Sequence, residues 1–379
     1  MLTGTRRPPG EIRDAVLSIL RAHPSGVSVS AIIDEARRML DDGVRESSVR
    51  SYLRLNTPRL FHRLARGQYQ LAGFADASKG ATNTDSYRTA VHGNATLIHA
   101  DCLDWLKQCM PNSIHAVVTD PPYGLVEYSP KEQSKLRKGK GGVWRLPPSF
   151  DGVRRSPLPR FTVLSPADRA GLGDFFAQWA AMLAPALVPG ANIVIASNPL
   201  LSYIVAGALA QAGLERRGEI ARLVTTMRGG DRPKGAHEAF ADVSVMPRSM
   251  WEPWLVFRKP LEGRVQDNLR KWNTGGFRRP SETRPFGDVI RSAPTRKAER
   301  ALAPHPTLKP QSFLRQLVRG VLPLGEGVVL DPFCGAGSTL AAATRVGYPS
   351  IGLEKDPEYF ELADRAIPQL VGYDPNGSC

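Results

Sequence analysis

The 379-residue chain is poor in cysteine, and none of its four cysteines belongs to a Cys-x-x-Cys pair: they are Cys102, Cys109, Cys334 and Cys379. A disulfide framework and a zinc site are therefore not expected. No apolar run reaches the roughly 18 residues that a membrane helix needs. Charged residues also interrupt the first thirty positions, where a signal peptide would need an apolar core. These absences predict a soluble, cytoplasmic protein without a membrane partner.

The sequence also lacks a G-x-x-x-x-G-K phosphate loop and is short of acidic residues. It has 50 Lys and Arg against 36 Asp and Glu, a net charge of +14. Most of the excess lies in residues 124–160, with 9 basic against 3 acidic residues, and in residues 228–300, with 16 against 9. Basic residues concentrated in this way favour a polyanionic partner. A generally basic composition without a specific partner is the alternative.

Residues 1–74 have the pattern of a small helical domain. Ile12, Val16 and Ile19 recur at helical spacing, further helices are predicted over 31–40 and 47–55, and residues 60–71 form a predicted hairpin around Gly67. Three helices and a hairpin resemble a winged helix-turn-helix. Arg50 and Arg54 on the third helix then suit DNA contact. Binding of another protein, or stabilisation of the rest of the chain, is the alternative.

Residues 75–92 lack periodicity and are predicted to be a linker. From residue 93 onward apolar strands alternate with helices, which predicts an α/β fold with a mostly parallel, Rossmann-like sheet. Strands are predicted over 97–100, 116–119, 192–196, 254–257, 328–330 and 351–353, and helices over 102–110, 175–187, 200–212, 310–321, 338–345 and 357–367. Residues 217–303 interrupt this alternation with glycines, prolines and three tryptophans among arginines, and are predicted to be an irregular insertion. The α/β domain would then comprise residues 93–216 and 304–379.

A short motif, Asp120-Pro121-Pro122-Tyr123, follows the apolar strand at 116–119. The Asp120 carboxylate and the backbone carbonyl of Pro121 could accept the two N–H bonds of an amino group attached to an aromatic ring. The lone pair of such a nitrogen would then be available for attack. Pro122 stiffens the turn, and Tyr123 offers an aromatic face for stacking. A rigid turn without chemistry is the alternative for the motif taken alone.

A second motif, residues 331–339, follows the apolar run 328–330. Gly335 and Gly337 let the backbone approach a ligand, and Asp331 could orient the turn. Glu354, 23 residues after Asp331, stands where an acidic group meets ribose hydroxyls in dinucleotide folds. A sulfonium cofactor fits this turn better than a phosphate does. The candidate contacts are Asp331, Phe333, Cys334, Gly335, Ala336, Gly337, Ser338 and Glu354, although Cys334 is expected mainly to pack beneath the turn.

Together the two motifs resemble the S-adenosylmethionine-dependent amino-group DNA methyltransferases, in the order of the β class, where the catalytic motif precedes the cofactor motif. The resemblance runs from Asn94 to near Leu370 and includes the hexapeptide His305-Pro-Thr-Leu-Lys-Pro310. It implies S-adenosylmethionine as cofactor and double-stranded DNA as substrate, with the target base flipped out of the helix. It also adds four candidate cofactor contacts: Asp101, Cys102, Thr307 and Lys309. Asp101 could instead only cap the helix that follows it.

Basic side chains near the two motifs are candidates for DNA contact. The family likeness makes residues 217–303 a target-recognition insertion. One group of candidates follows the catalytic motif and could equally form a solvated loop: Lys131, Lys135, Arg137, Lys138 and Lys140. The other group lies in the insertion: Arg258, Arg270, Lys271, Arg278 and Arg279.

The resemblance favours adenine N6 as the target, because the cytosine-N4 members more often have Ser at the position of Asp120. Cytosine N4 is the alternative. RNA and protein-glutamine methyltransferases usually carry Asn-Pro-Pro-Tyr with the cofactor motif first, and neither feature is found in this chain. An inactive DNA-binding regulator is a third alternative. We also expect a nucleoid-associated location, a possible homodimer and a possible companion restriction endonuclease.

Overall fold

The computed structural model describes residues 11–23, 26–41, 43–57, 61–71, 87–122, 164–228, 249–305 and 307–375, with short pieces between 233 and 247. The chain divides into two compact units, residues 1–80 and residues 81–379. Among the described residues, no helix combines the length and the hydropathy that a membrane crossing requires.

The first unit consists of three helices and a small antiparallel sheet: α1 (Glu11–Ala22), β1 (Val27–Ser28), α2 (Val29–Met39), α3 (Glu46–Leu55), β2 (Phe61–Ala65) and β3 (Gln68–Leu71). The sheet order is β1-β3-β2. Val16, Ile19 and Leu20 of α1 are buried in its core, as their helical spacing predicts. The helices and the hairpin stand near the predicted positions, whereas the two-residue β1 has no sequence signal. A winged-helix function in DNA contact stays a prediction.

The second unit alternates strands and helices: β4 (Thr89–His92), β5 (Ala95–His99), α4 (Cys102–Leu106), β6 (Ile114–Thr119), α5 (Pro166–Ala186), β7 (Leu187–Ala196), α6 (Ser202–Gln211), β8 (Glu215–Arg228), β9 (Ser249–Arg258), α7 (Val265–Trp272), β10 (Val289–Ser292), α8 (Lys297–Leu302), α9 (Gln311–Val321), β11 (Val329–Asp331), α10 (Ser338–Arg345), β12 (Ser350–Glu354) and α11 (Pro357–Gly372).

Nine strands of this unit form one sheet in the order β10-β8-β9-β7-β6-β11-β12-β5-β4. Only β9 and β4 run against the others, so the mixed α/β class with a mostly parallel sheet is confirmed. The neighbouring strands β6, β11 and β12 are parallel and end at Thr119, Asp331 and Glu354. We call the side of the sheet where they end the carboxyl edge, and the opposite side the amino edge.

Helices bury the sheet because its central strands are apolar on both faces. Ala116 and Val118 of β6 belong to a cluster with Phe313 and Leu317 of α9 and with α10. Val117 lies between them and, by the two-residue period of a strand, points to the other face. Such double coverage explains why these strands read as short continuous apolar runs.

Three sequence predictions about this unit need correction. The linker predicted over 75–92 ends earlier, because Thr89–His92 is strand β4. Helix α5 begins nine residues before the predicted start, at a capping box between Ser165 and Asp168 whose polar first turn hid it. Pro310 is the N-cap of α9 and not its first helical residue.

The prediction of an irregular insertion over 217–303 was largely wrong. This segment contains β9, β10, α7, α8 and most of β8, so three of the nine sheet strands come wholly or mainly from it. These strands are hard to predict because they contain charged residues. Arg222 of β8 and Glu252 of β9 interrupt the apolar pattern, yet both are buried and paired with each other across the sheet.

Candidate active site

The turn after β11 requires glycine at two positions. Gly335 has a φ of +50° and Gly337 a φ of +76°, which is left-handed backbone that other residues adopt at a cost. A Cβ on Gly337 would stand 2.5 Å from Cγ1 of the buried Ile367 in α11. The turn is therefore packed closely on the helix layer, and α10 begins directly after it at Ser338.

Two carboxylates at strand ends hold this turn in place. Oε2 of Glu354 accepts the Gly335 N–H at 2.8 Å, and Oδ1 of Asp331 accepts the Phe333 N–H at 3.2 Å. Asp331 also accepts the Thr119 hydroxyl at 2.6 Å, which ties the end of β11 to the end of β6. Burial raises the pKa of Glu354 to about 7 and that of Asp331 to about 6.

Aromatic side chains pack around the turn, and two of them, Phe333 and His305, line the cleft beside it. The Phe333 ring lies 6.1 Å from Phe175 and 5.9 Å from Trp179 of α5, between ring centroids. His305 covers Gly335 and packs edge-on against Tyr359 at 4.6 Å. Burial, with the nearby Lys309 cation, lowers the pKa of His305 to about 4, so this ring is neutral at pH 7.

Asp120 follows β6 directly and reaches the same cleft. Its side chain is 19% exposed, and Nζ of Lys309 donates to its Oδ2. Lys309 also lies 3.1 Å from Oε1 of Glu252. Pro121 is buried and Pro122 is exposed. One cavity joins the catalytic and cofactor motifs, and its lining includes Asp120, Trp254, His305, Thr307, Lys309, Asp331, Phe333, Cys334, Gly335, Ala336 and Ser338.

The residues of this cleft suit S-adenosylmethionine. The Glu354 carboxylate, which holds the Gly335 N–H from outside the cavity lining, can accept ribose hydroxyls, and Phe333 offers an aromatic face. The Asp331 carboxylate favours a cation in this cleft, whereas that of Asp120 is already paired with Lys309. Lys309 lines the cavity and contacts Asp120 and Glu252, and its predicted contact with the cofactor stays a prediction.

Asp101 and Cys102 lie one strand beyond Glu354 and outside the cavity lining. Oδ1 of Asp101 accepts the Leu103 N–H at 2.9 Å, and Oδ2 pairs with Lys355 at 2.8 Å. Asp101 therefore caps the helix that follows it, as the alternative to a cofactor contact predicts. Burial raises the pKa of Cys102 to about 12, and burial also raises that of Cys334, so both thiols are protonated packing groups.

The candidate DNA contacts of residues 217–303 are not brought to the carboxyl edge. Arg258 stands opposite Asn192 near the start of β7, and its guanidinium is 10% exposed and bonded to Glu215. Helix α7, which carries Arg270 and Lys271, is fixed at the same amino edge because Asn268 donates to Pro189 O at 2.9 Å.

Arg278 and Arg279 belong to the amino edge as well. Arg278 donates its backbone N–H to Gly320 O at the end of α9, and its Nη1 to the Tyr348 hydroxyl at 2.9 Å. Arg319 holds the Arg279 carbonyl at 3.0 Å. All five side chains therefore lie at the edge away from the cavity, and the DNA contact predicted for them stays a prediction. The remaining candidates lie outside the described residues: Tyr123, Lys131, Lys135, Arg137, Lys138 and Lys140.

The sequence does not predict Glu252, which contacts Lys309, or Arg222, which pairs with Glu252. Glu252 and Arg222 lie in no recognised motif, and their mutual pairing depends on the register of β8 and β9. One signal was available: Glu252 is the single charged residue between Met250 and Phe257, in an otherwise apolar strand. A charge in such a run is buried and needs a partner. Trp254, which the sequence predicts in a strand, is also part of the cavity lining.

A Rossmann-like sheet with a glycine turn after one strand and a carboxylate after its neighbour defines the architecture of an α/β methyltransferase. The DNA methylase family model, N6_N4_Mtase, matches residues 114–365. The chain belongs to this family of S-adenosylmethionine-dependent DNA methyltransferases, which confirms the predicted enzyme class, its cofactor and its activity on DNA amino groups.

Curated relatives agree with this assignment in their names. The chain is 23% identical over 280 residues to the type II methyltransferase M2.LlaDCHI of Lactococcus lactis subsp. cremoris, covering 74% of this chain and 91% of the relative. It is 23% identical over 271 residues to M2.DpnII of Streptococcus pneumoniae, covering 72% and 88%. The solved PvuII DNA methyltransferase, described as cytosine-N4-specific, is 15% identical with a TM-score of 0.47, covering 79% of this chain and 92% of that chain.

Proposed function

We propose that the protein methylates N6 of an adenine flipped out of duplex DNA. The observation that carries this proposal is that the Asp120 carboxylate lines the same cavity as residues of the cofactor turn. When bound, S-adenosylmethionine supplies a methyl group made electrophilic by its sulfonium. Asp120 and the Pro121 carbonyl accept the two amino N–H bonds and so direct the nitrogen lone pair. Asp120 also stabilises the positive charge that develops on nitrogen.

The carboxylate at position 120 favours adenine over cytosine in the resemblance to the family. It also has a structural consequence, because it is one of two carboxylates that balance the buried Lys309 cation. A serine there would remove one of these two carboxylates and leave that of Glu252, 3.1 Å from the Lys309 cation. Mass spectrometry of nucleosides from DNA methylated by the purified protein tests the choice: N6-methyldeoxyadenosine is expected, and N4-methyldeoxycytidine alone would establish the alternative.

The type II names of the relatives support a role in restriction and modification, with a companion endonuclease that cleaves unmethylated DNA. Sequencing that detects modified bases, on DNA from cells with and without the gene, would give the recognised site. A homodimer and association with the nucleoid stay predictions. Chromatography with light scattering and microscopy of the tagged chain would test them.

The titration of Glu354 predicts a pH dependence of cofactor binding. Its pKa of about 7 means that the carboxylate is mostly protonated at pH 6 and mostly ionised at pH 8. Since the ionised form accepts ribose hydroxyls better, affinity for S-adenosylmethionine should fall by about tenfold from pH 8 to pH 6. Calorimetry should find this slope in the native chain and lose it in Glu354→Gln. An equal slope in both would exclude Glu354 as its source.

The first unit is proposed to contact DNA through helix α3, whose Arg50 and Arg54 are exposed. Replacing both by Ala should weaken DNA binding and reduce the slope of log K against log salt by about 1 to 2. The matched control is Arg270→Ala with Lys271→Ala, which removes the same charge from an exposed helix at the amino edge and should change neither quantity. Identical results for the two double variants would contradict the α3 contact.

A further inference from the structure

Four charged side chains connect end to end in the second unit, and we call them the four-charge chain: Asp120, Lys309, Glu252 and Arg222. Lys309 contacts both carboxylates, and Oε2 of Glu252 accepts from Nη1 of Arg222 at 2.7 Å. Arg222 is 2%, Lys309 10% and Glu252 11% exposed. Charges this well buried are poorly screened by solvent, so each depends strongly on its neighbours.

The far end of the four-charge chain is fixed by the surrounding fold. Nε of Arg222 donates to the Ser292 hydroxyl of β10 at 3.1 Å, and its guanidinium lies 5.2 Å from the ring centroid of Phe313 in α9. At the near end, Asp120 and Lys309 line the cavity, whereas Glu252 and Arg222 are not part of its lining. A rigid series of contacts therefore runs from the sheet interior to the catalytic carboxylate.

We propose that Glu252 and Arg222 are positioning residues for methyl transfer: they hold Lys309 in place, and Lys309 orients the Asp120 carboxylate toward the target amino group. This inference rests on the proposed function. Neither residue is part of the cavity lining. A gain in rate from such preorganisation depends on geometry, and a misplacement of about 1 Å can cost about a hundredfold.

The charge of Glu252 has a second consequence. Alone beside Asp120, the Lys309 cation would cancel the negative charge that stabilises the transition state on the amino nitrogen. Glu252, which also pairs with Arg222, offsets part of the Lys309 charge from the other side. Asp120 therefore keeps more of its negative charge at the cavity than it would beside Lys309 alone.

A pair of matched variants tests this inference. Glu252→Gln removes the carboxylate of the Arg222 pair at the carboxyl edge. Glu215→Gln removes the carboxylate of the Arg258 pair, which spans the same two strands at the amino edge, with Nε and Oε2 3.0 Å apart. Single-turnover methyl transfer is measured at saturating DNA and cofactor, and dissociation constants are measured separately.

We expect Glu252→Gln to slow transfer by about tenfold to a hundredfold while both dissociation constants change by less than about threefold. Glu215→Gln should transfer at the native rate. Glu252→Asp, which keeps the charge, should recover part of the rate. Equal rates for Glu252→Gln and Glu215→Gln would overturn the inference and leave the proposed function intact. A native chain that transfers no methyl group to DNA would overturn both.

A second variant keeps the test decisive if Glu252→Gln does not fold. The combination of Arg222→Met with Glu252→Leu replaces the buried ion pair by apolar side chains of similar size, a change that often preserves or increases stability. Lys309 then keeps its contact with Asp120 and loses the one with the carboxylate at position 252. We expect slow transfer with native cofactor binding, and a native transfer rate in this double variant would refute the positioning role.

Discussion

Replacing Asp120 by Ala is expected to reduce methyl transfer on the order of a thousandfold or more. The variant loses one of the two acceptors for the amino group and the negative charge that stabilises the transition state. Lys309 keeps Glu252 as a partner at 3.1 Å, so the buried cation is not left alone and the fold should persist. Single-turnover transfer to DNA measures the effect.

Cofactor binding separates a chemical role of Asp120 from a structural one. The turn that would hold S-adenosylmethionine is fixed by Glu354 and Asp331, neither of which needs Asp120. Calorimetric affinity for the cofactor should therefore change by less than about threefold in Asp120→Ala, since no cofactor contact is removed. Asp120→Asn, which keeps one acceptor but not the charge, should be intermediate. Transfer at the native rate by Asp120→Ala would remove Asp120 from the mechanism.

Gly337→Ala is expected to have the second largest effect, on both stability and cofactor binding. A residue other than glycine in left-handed backbone costs roughly 1–2 kcal/mol. The new methyl group would also stand 2.5 Å from Ile367 Cγ1, and overpacking of this kind adds roughly 1–3 kcal/mol. To relieve the contact the turn must move away from α11, which would displace the Gly335 N–H from Glu354.

The control for this variant is Gly347→Ala. Gly347 has a similar φ of +83°, but a Cβ there meets nothing within 4 Å. Gly347→Ala should therefore lower the free energy of unfolding only by the cost of left-handed backbone, roughly 1–2 kcal/mol. The affinity for the cofactor should be unchanged. Denaturant unfolding and calorimetry would compare the two. Equal destabilisation with equal cofactor affinity would mean that the contact with Ile367 does not constrain the turn.

The sequence predicted the central part of the fold better than its flanks, for a physical reason. Strands β6, β11 and β12 are buried on both faces and bounded by turn residues, so their apolar runs are clear. Strands β8 and β9 carry charges whose partners lie on the other strand, about thirty residues away in the chain. A periodicity argument cannot anticipate that pairing, and the segment therefore looked irregular.

The same limit decides which predicted site residues the sequence could place relative to one another. Asp120, Asp331 and Glu354 each terminate a strand, and parallel neighbours place their ends together, so the local sequence was enough to place them. Arg258 and Arg278 were chosen for charge and composition alone. Which edge of the sheet they occupy depends on strand direction, and β9 runs antiparallel to β7.

The sequence by itself determined the chemistry of this protein: a carboxylate and a proline carbonyl in one turn, and glycines with an acidic strand end in another. Those groups are neighbours along the chain, and short-range backbone geometry is enough to present them. Only the tertiary structure decided which charges stand behind the carboxylate. Lys309, Glu252 and Arg222 come from three separate segments, and their contacts exist because strand register and helix packing bring those segments together.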